Sequence, residues 1–314
     1  MTDMRKVAFL FAGQGAQTVG MGRDFADTVP ESGAVFSMGE ALRTGITQIC
    51  FGTGSQMDGA LLGQTANTQP CLFLTDLAIA EAFRAVGLLP AAVAGFSLGE
   101  IPAAAFAGVL SYEEAFRFVL LRAESMAWQS GRHPGGMAAA LKLAPEVVEE
   151  ICSRFSEVWP VNYNCPGQVS CAGSAAEIDN FCAAARQAGG RAVKLPVSGA
   201  FHTPYMAQVA PVLRAALDGA DVSAPAIPLY ANRTASPYPA DRAGILDCMT
   251  LQVCSPVRWE STLRAMWTAG ITTFVEVGAG HTLTGFVSRT LPEARALTVN
   301  DIPSFEAVCR ELTE

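Results

Sequence analysis

The run Ala91-Ala-Val-Ala94 breaks into Gly95-Phe-Ser-Leu-Gly-Glu100 and then into residues 101–110, whose apolar spacing is helical. A short apolar strand, a hydroxyl between two glycines and a helix in immediate succession leave few folds open. The turn must be sharp, and bulky side chains would clash where strand meets helix, so glycines flank the serine. Such a turn pushes the Ser97 hydroxyl into a cleft. It aims the next amide, that of Leu98, where a tetrahedral oxyanion forms, with the partial positive charge of the helix start behind it. The pentapeptide alone also fits an ordinary glycine-rich turn, so its surroundings carry the argument.

Those surroundings repeat the strand-to-helix rhythm. Val7-Ala-Phe-Leu-Phe11 is an apolar run ended by Gly13 and Gly15. Residues 72–86 have helical spacing, with Gly87 suited to a C-cap. Ser111-Tyr-Glu-Glu114 has capping-box form and opens a helix with Phe116, Val119, Leu120, Ala123 and Ala127 on one face. From about Gly131 the order becomes strand 136–141, helix 144–155, strands around 160–163 and 168–172, helix 175–188 and strand 192–197. That βαββαβ order is the ferredoxin-like pattern. Alternation then resumes, with Phe274-Val-Glu-Val277 running into Gly278-Ala-Gly280. The expectation is an α/β chain: a large domain with a mainly parallel sheet and an α/β-hydrolase-like nucleophile elbow, residues 1–130 and 199–314. A ferredoxin-like small domain, residues 131–198, interrupts it.

Composition excludes several classes. Half of the 314 residues are apolar and 16% are charged, which is a core-forming rather than a disordered chain. The net charge is −8 and no Lys/Arg run occurs, so neither nucleic acid nor an anionic membrane surface is an expected partner. Uncharged stretches such as 86–99 fall short of the ~20 residues that cross a bilayer. Nine cysteines lie scattered without C-x-x-C spacing, so no metal site is expected. Free thiols, and an N-terminus that runs into a strand, point to the cytoplasm. The glycine clusters at 13–15 and 278–280 lack dinucleotide spacing, and no Walker-type G-K-[ST] exists.

A serine nucleophile needs a base, and the chain has three histidines. His133 lies in Gly131-Arg-His-Pro, an exposed linker. His281 follows Gly278-Ala-Gly280, where capping a helix is the simpler role and lining a cleft the other. His202, in Ser198-Gly-Ala-Phe-His-Thr-Pro204, sits where the chain re-enters the large domain, in a loop stiffened by proline. It is the first candidate for the base, with His281 second. No acidic third member is evident: Glu177 and Asp179 read as solvated charges on a helix of the insert. A backbone carbonyl serves as well, because the base needs only an acceptor for its other ring N–H.

At these residues the sequence resembles the malonyl-CoA:acyl carrier protein transacylases and the wider acyltransferase family of fatty-acid and polyketide synthesis. The resemblance spans essentially the whole chain. Its segments are Phe11-Ala-Gly-Gln-Gly-Ala-Gln17, Gln69-Pro70, Gly95-Phe-Ser-Leu-Gly-Glu100, Arg122, Asn162-Tyr-Asn-Cys-Pro-Gly-Gln168, Gly199-Ala-Phe-His202, Gln252 with Ser255-Pro-Val-Arg-Trp259, and Val275-Glu-Val-Gly278. It implies Ser97 as the acylated nucleophile, His202 as the base oriented by the main-chain carbonyl of Gln252, and an oxyanion hole from the amides of Gln14 and Leu98. Arg122, otherwise a surface arginine at the border of its helix's apolar stripe, would reach inward from the rim to pair with the malonyl carboxylate. Phe201, Asn164 and Gln14 would line the substrate site, with Phe201 resembling the malonyl-selective members. Two departures stand out: Phe96 replaces the usual His before the nucleophile, and Ala12 replaces a frequent Pro.

The resemblance implies ping-pong transfer of a malonyl group from malonyl-CoA to the phosphopantetheine thiol of an acyl carrier protein, without a cofactor of the enzyme's own. The CoA thioester is a substrate and phosphopantetheine belongs to the partner. A monomer is expected, with Arg186, Arg191 and Lys194 as a basic patch for an acidic carrier. The competing readings are a serine acyl-thioester hydrolase on the same fold and a non-catalytic docking subunit.

Overall fold

A computed structural model describes residues 3–197 and 199–314. Ser198, expected as the last residue of the inserted unit, lies outside them, as do Met1 and Thr2. Among the described residues nine strands form two sheets. The first sheet joins β1 (Val7–Phe11), β2 (Ala92–Gly95), β7 (Leu229–Tyr230), β8 (Thr273–Val277) and β9 (Arg295–Val299) in the order β7-β2-β1-β8-β9, all parallel. β1, β2 and β8 are buried on both faces, as the unbroken apolar run of β1 requires, while the edge strand β9 is largely half-buried. Alternate side chains of that run serve two cores. Val7, Phe9 and Phe11 pack with the long helix Thr65–Ala85, and Ala8 and Leu10 pack with Trp259, Phe274 and Phe286.

The second sheet comprises β3 (Gly135–Leu141), β4 (Val158–Cys165), β5 (Gln168–Ser174) and β6 (Arg191–Lys194), antiparallel in the order β4-β5-β3-β6. Helices Pro145–Cys152 and Ile178–Gln187 complete the βαββαβ order. Period-two alternation gives this sheet two different faces. Ala138, Ala140, Val169 and Cys171 join the small core beneath the helices, whereas Met137, Ala139, Ser170, Asn162 and Asn164 face a cleft shared with the parallel sheet. A bridge between Pro134 and Gly199 draws together the two chain segments at the neck, and Tyr163 N–H donates to the Val257 carbonyl at 2.9 Å.

Several element bounds differ from the sequence reading for local reasons. The helix expected from Leu72 starts at Thr65 and runs through Pro70. Proline has no N–H for the Ala66 carbonyl, and Arg43 Nη1 donates to that carbonyl instead, at 2.8 Å. Gly131 lies inside helix Tyr112–Arg132, whose N-terminus carries the expected capping box of Ser111 and Glu114. The two-residue edge strand β7 gave no period to read. His281 occupies the N-cap position of helix Thr282–Thr290 but makes no side-chain cap, which overturns that expectation. The buried carboxylate of Glu276 in β8 accepts from the amides of Leu283 and Thr284 at 3.0 and 2.7 Å, so the cap comes from the neighbouring strand. Among the described residues no helix is long and apolar enough to cross a membrane.

Candidate active site

β2 ends at Gly95, and the next turn forces Ser97 to a φ of 53°. A Cβ on Gly95 would sit 1.9 Å from the Gly99 carbonyl carbon, and one on Gly99 would sit 2.2 Å from the Phe11 carbonyl oxygen. Both flanking positions therefore admit only glycine, which gives the motif its spacing. A left-handed serine costs roughly 1–2 kcal/mol, so the surroundings must hold it there. They do so from both sides of the residue. Ser97 N–H donates to Asn232 Oδ1 at 2.7 Å, and Gln252 Nε2 donates to the Ser97 carbonyl at 2.7 Å.

His202 meets this hydroxyl from the other arm of the neck. It also has a positive φ, 63°, and its Nε2 lies 2.7 Å from Ser97 Oγ. Its Nδ1 faces two carbonyl oxygens, Gln252 at 2.9 Å and Ser255 at 3.1 Å. Two acceptors at Nδ1 assign the proton there and leave the Nε2 lone pair for the hydroxyl proton. Burial pushes the imidazole down to about 4, the Arg122 charge adds to that, and the two carbonyls oppose it. The ring is therefore neutral at ordinary pH. His133, by contrast, is exposed and stacks on Tyr205. Asp179 pairs with Lys194, and Glu177 accepts from the Glu157 amide at 2.7 Å.

Arg122 lies deeper than the expected rim position, 1% exposed. Its helix is sandwiched between helix Thr65–Ala85 and helix Val209–Ala216, so the border of the apolar stripe is interior. Nη1 donates to Gln69 Oε1 at 2.6 Å, and Nη2 donates to Gln252 Oε1 at 2.8 Å and to Ser97 Oγ at 3.4 Å. Nε has no partner. Burial lowers the guanidinium to about 10, with Glu100 opposing, so it remains a cation. The long contact to Ser97 marks the edge that faces the cleft.

The cleft has a volume of about 230 Å³ and lies between the two sheets. Gly13, Gln14 and Ser97 form its floor, with Asn162, Asn164 and Ser170 as its roof. Gly13 presses on the elbow: a Cβ there would meet the Phe96 carbonyl at 2.5 Å. Among the described residues neither the Gln14 nor the Leu98 N–H is spent on a main-chain acceptor, which leaves both amides for an oxyanion. The Gln14 side chain donates to Thr65 Oγ1 at 3.2 Å. On the roof, Asn164 Nδ2 donates to Ser170 Oγ at 3.2 Å, while the Oδ1 atoms of Asn162 and Asn164 are buried without partners among the described residues. Phe201 contributes an apolar wall. The Phe96 ring packs edge-on against Trp259 with centroids 5.4 Å apart, so it is held by the core on one side of the cleft. Among the described residues no group of three His, Cys, Asp or Glu is placed to hold a metal ion.

Sequence reasoning gave no role to Gln69, Glu100, Asn162, Asn232, Tyr238 or the side chain of Gln252. Gln69, Glu100 and Asn162 lie inside the segments that resemble the transacylases, and that is their only signal in the sequence. Asn232 follows the short strand β7, and its amide Nδ2 reaches the Gly95 carbonyl at 2.6 Å across 137 positions of sequence.

The comparisons with known proteins agree with this geometry. The pattern of a family described as acyl transferase domain matches residues 8–310. The chain is 34% identical to a malonyl CoA-acyl carrier protein transacylase of Bacillus subtilis over 317 residues, covering 99% of this chain and 98% of that one. Among solved structures, a malonyl-CoA:acyl carrier protein transacylase from Xanthomonas oryzae pv. oryzae superposes with a TM-score of 0.93 at 32% identity, covering 99% of each chain. A malonyl-transacylase in complex with its type II polyketide-synthase acyl carrier protein superposes with a TM-score of 0.92 at 29% identity, covering 98% of this chain and 99% of that one.

Proposed function

The chain belongs to the acyl transferase domain family, and on that premise we propose that it transfers malonyl groups from malonyl-CoA to the phosphopantetheine thiol of an acyl carrier protein. One observation carries the reading. A hydroxyl 2.7 Å from a neutral imidazole is also 3.4 Å from a buried guanidinium, so nucleophile, base and carboxylate anchor converge on one atom. Arg122 takes the free carboxylate of the malonyl group as a charge-assisted fork. His202 Nε2 accepts the Ser97 proton as Oγ attacks the thioester carbon. The oxyanion is held by the amides of Gln14 and Leu98. Collapse breaks the C–S bond, and the imidazolium returns its proton to the departing CoA thiolate. The carrier's thiol then gives its proton to His202 and attacks the malonyl-serine ester, and Ser97 is regenerated.

The cleft walls fit this traffic. Asn162 and Asn164 present open carbonyl acceptors to the amide N–H groups of the pantetheine arm, and Phe201 limits room beside the malonyl methylene. The reading needs no resident cofactor. Carrier docking falls to the exposed face of the insert, where Lys194 is tied to Asp179, Arg186 to the Ala192 carbonyl, and Arg191 is exposed. It takes the enzyme as a cytoplasmic monomer, the compartment being supported by nine unpaired cysteines.

Intact-mass measurement after mixing with malonyl-CoA tests it. A malonyl adduct is expected on the wild type and not on Ser97→Ala, and it should discharge on adding holo carrier protein. CoA release at the same rate with or without carrier would instead make the protein a thioester hydrolase.

A further inference from the structure

Beneath the elbow lies a carboxylate that no step above touches. Glu100 is fully buried, and three donors converge on it: Tyr238 Oη at 2.5 Å on Oε1, and Gln252 Nε2 at 2.9 Å and Asn232 N–H at 3.1 Å on Oε2. Two of these partners reach on to the nucleophile. Asn232 takes the Ser97 N–H, and Gln252 Nε2 also donates to the Ser97 carbonyl. The other end of the Gln252 amide, Oε1, accepts from Arg122 at 2.8 Å, while its main-chain carbonyl orients His202.

A side-chain amide can present either end, and one flip of Gln252 would turn NH₂ toward the Arg122 guanidinium, donor against donor. What forbids the flip is a pair of acceptors with no hydrogen to offer on the opposite side, the Ser97 carbonyl and the Glu100 carboxylate. We infer that Glu100 is a positioning residue: as an acceptor-only carboxylate it fixes Gln252 and Asn232, and through them the strained peptide of Ser97 and the aim of the Arg122 fork. The inference rests on the transfer reading above and adds a residue to it.

The ionised state is then what the site needs, and it is finely balanced. Burial raises the Glu100 carboxyl to about 7, while the bonds from Tyr238, Gln252 and Asn232 and the charge of Arg122 pull it down. The titratable groups around it are Arg122 and His202 across Gln252, and Tyr238 and Cys248 on the far side. Protonation takes one of the four acceptor sites of a carboxylate that already receives three donors, so its hold on those partners loosens.

Rapid-quench mass spectrometry of Ser97 malonylation from pH 5.5 to 8.5, at saturating malonyl-CoA, tests this. Wild type should lose about tenfold in acylation rate between its plateau and pH 6, an acid limb well above that of His202. Glu100→Gln should acylate more slowly at pH 8 but without that limb, since its oxygen accepts at every pH. Tyr238→Phe removes a bond that favours the charged form, so its limb should move upward by about one pH unit. A wild type with no limb, a Glu100→Gln protein that keeps it, or a Tyr238→Phe limb in the wild-type place overturns the inference. If Glu100→Gln does not fold, Tyr238→Phe decides. A wild type that forms no adduct at any pH sinks the transfer reading instead.

Discussion

The floor and the roof of the cleft face each other across one small volume, yet most side-chain bonding capacity is spent on the floor, Arg122 Nε excepted, and less of it on the roof. On the floor Ser97, Arg122, Asn232, Gln252 and Glu100 are bonded to one another, and the two reacting residues are held at φ values of 53° and 63°. On the roof the Oδ1 atoms of Asn162 and Asn164 are buried and unbonded, among apolar neighbours such as Met137 and Leu195. Hydrogen-bonding capacity spent internally gives a fixed geometry, which is what a transition state rewards. Capacity left open has a desolvation cost that only a guest relieves. On the transfer reading, the floor is thus expected to serve rate and the roof recognition.

Substitutions should divide along the same line. The largest effect is expected for His202→Ala, a fall of about 10³-fold or more in kcat with KM little changed, read from stopped-flow CoA release. A comparable loss through KM alone would break the contrast. Next comes stability against pH, because only the floor buries these titratable groups. His202 is held down at about 4 when folded, so its contribution is present above its ordinary 6.5 and is lost as pH falls toward 4. Glu100 is raised to about 7, so its contribution runs the other way and is lost as pH rises from 4.5 through 7. Each slope amounts to about 3 kcal/mol, and in the wild type they largely cancel between pH 4.5 and 6.5. Denaturant melts should show His202→Gln losing stability as pH rises across that window and Glu100→Gln gaining it. Equal slopes in the two variants would contradict the assignment.

Arg122→Ala should lower kcat/KM for malonyl-CoA by about 100-fold and abolish the preference for malonyl over acetyl thioesters in competition assays. An unchanged preference would remove Arg122 from substrate recognition. The smallest effect belongs to the roof: Asn164→Ala should raise KM for CoA and carrier thioesters by about five-fold and leave kcat alone. A kcat effect larger than the KM effect would show that the roof, too, positions the reaction.

Much of this was legible in the chain because short-range physics dictated it. The apolar runs of β1 and β8 can only be buried strands, and Gly95 and Gly99 are required by clashes of 1.9 and 2.2 Å that any side chain would make. The order of elements in the insert followed from alternation, and His202 stood out as the histidine in a stiff re-entry loop. The depth of Arg122 was not legible, because a stripe border is surface or interior depending on which helices pack beside it. Nor was the network under the elbow, where Glu100, Asn232 and Tyr238 meet only after the chain has closed on itself. The false cap at His281 shows the same limit, since Glu276 reaches the helix end from a neighbouring strand.

The imidazole leans on two carbonyl dipoles, no carboxylate among the described residues bonds to it, and the charge that acts on it is a cation. Taking up the serine proton therefore sets an imidazolium beside the Arg122 guanidinium, whose own counter-charge, Glu100, lies on the far side of Gln252. A diacid's half-thioester brings an anion of its own. An acetyl thioester brings no such charge, so on the transfer reading the sorting of acyl groups is expected at the moment of proton transfer, with the substrate supplying the missing member of the triad.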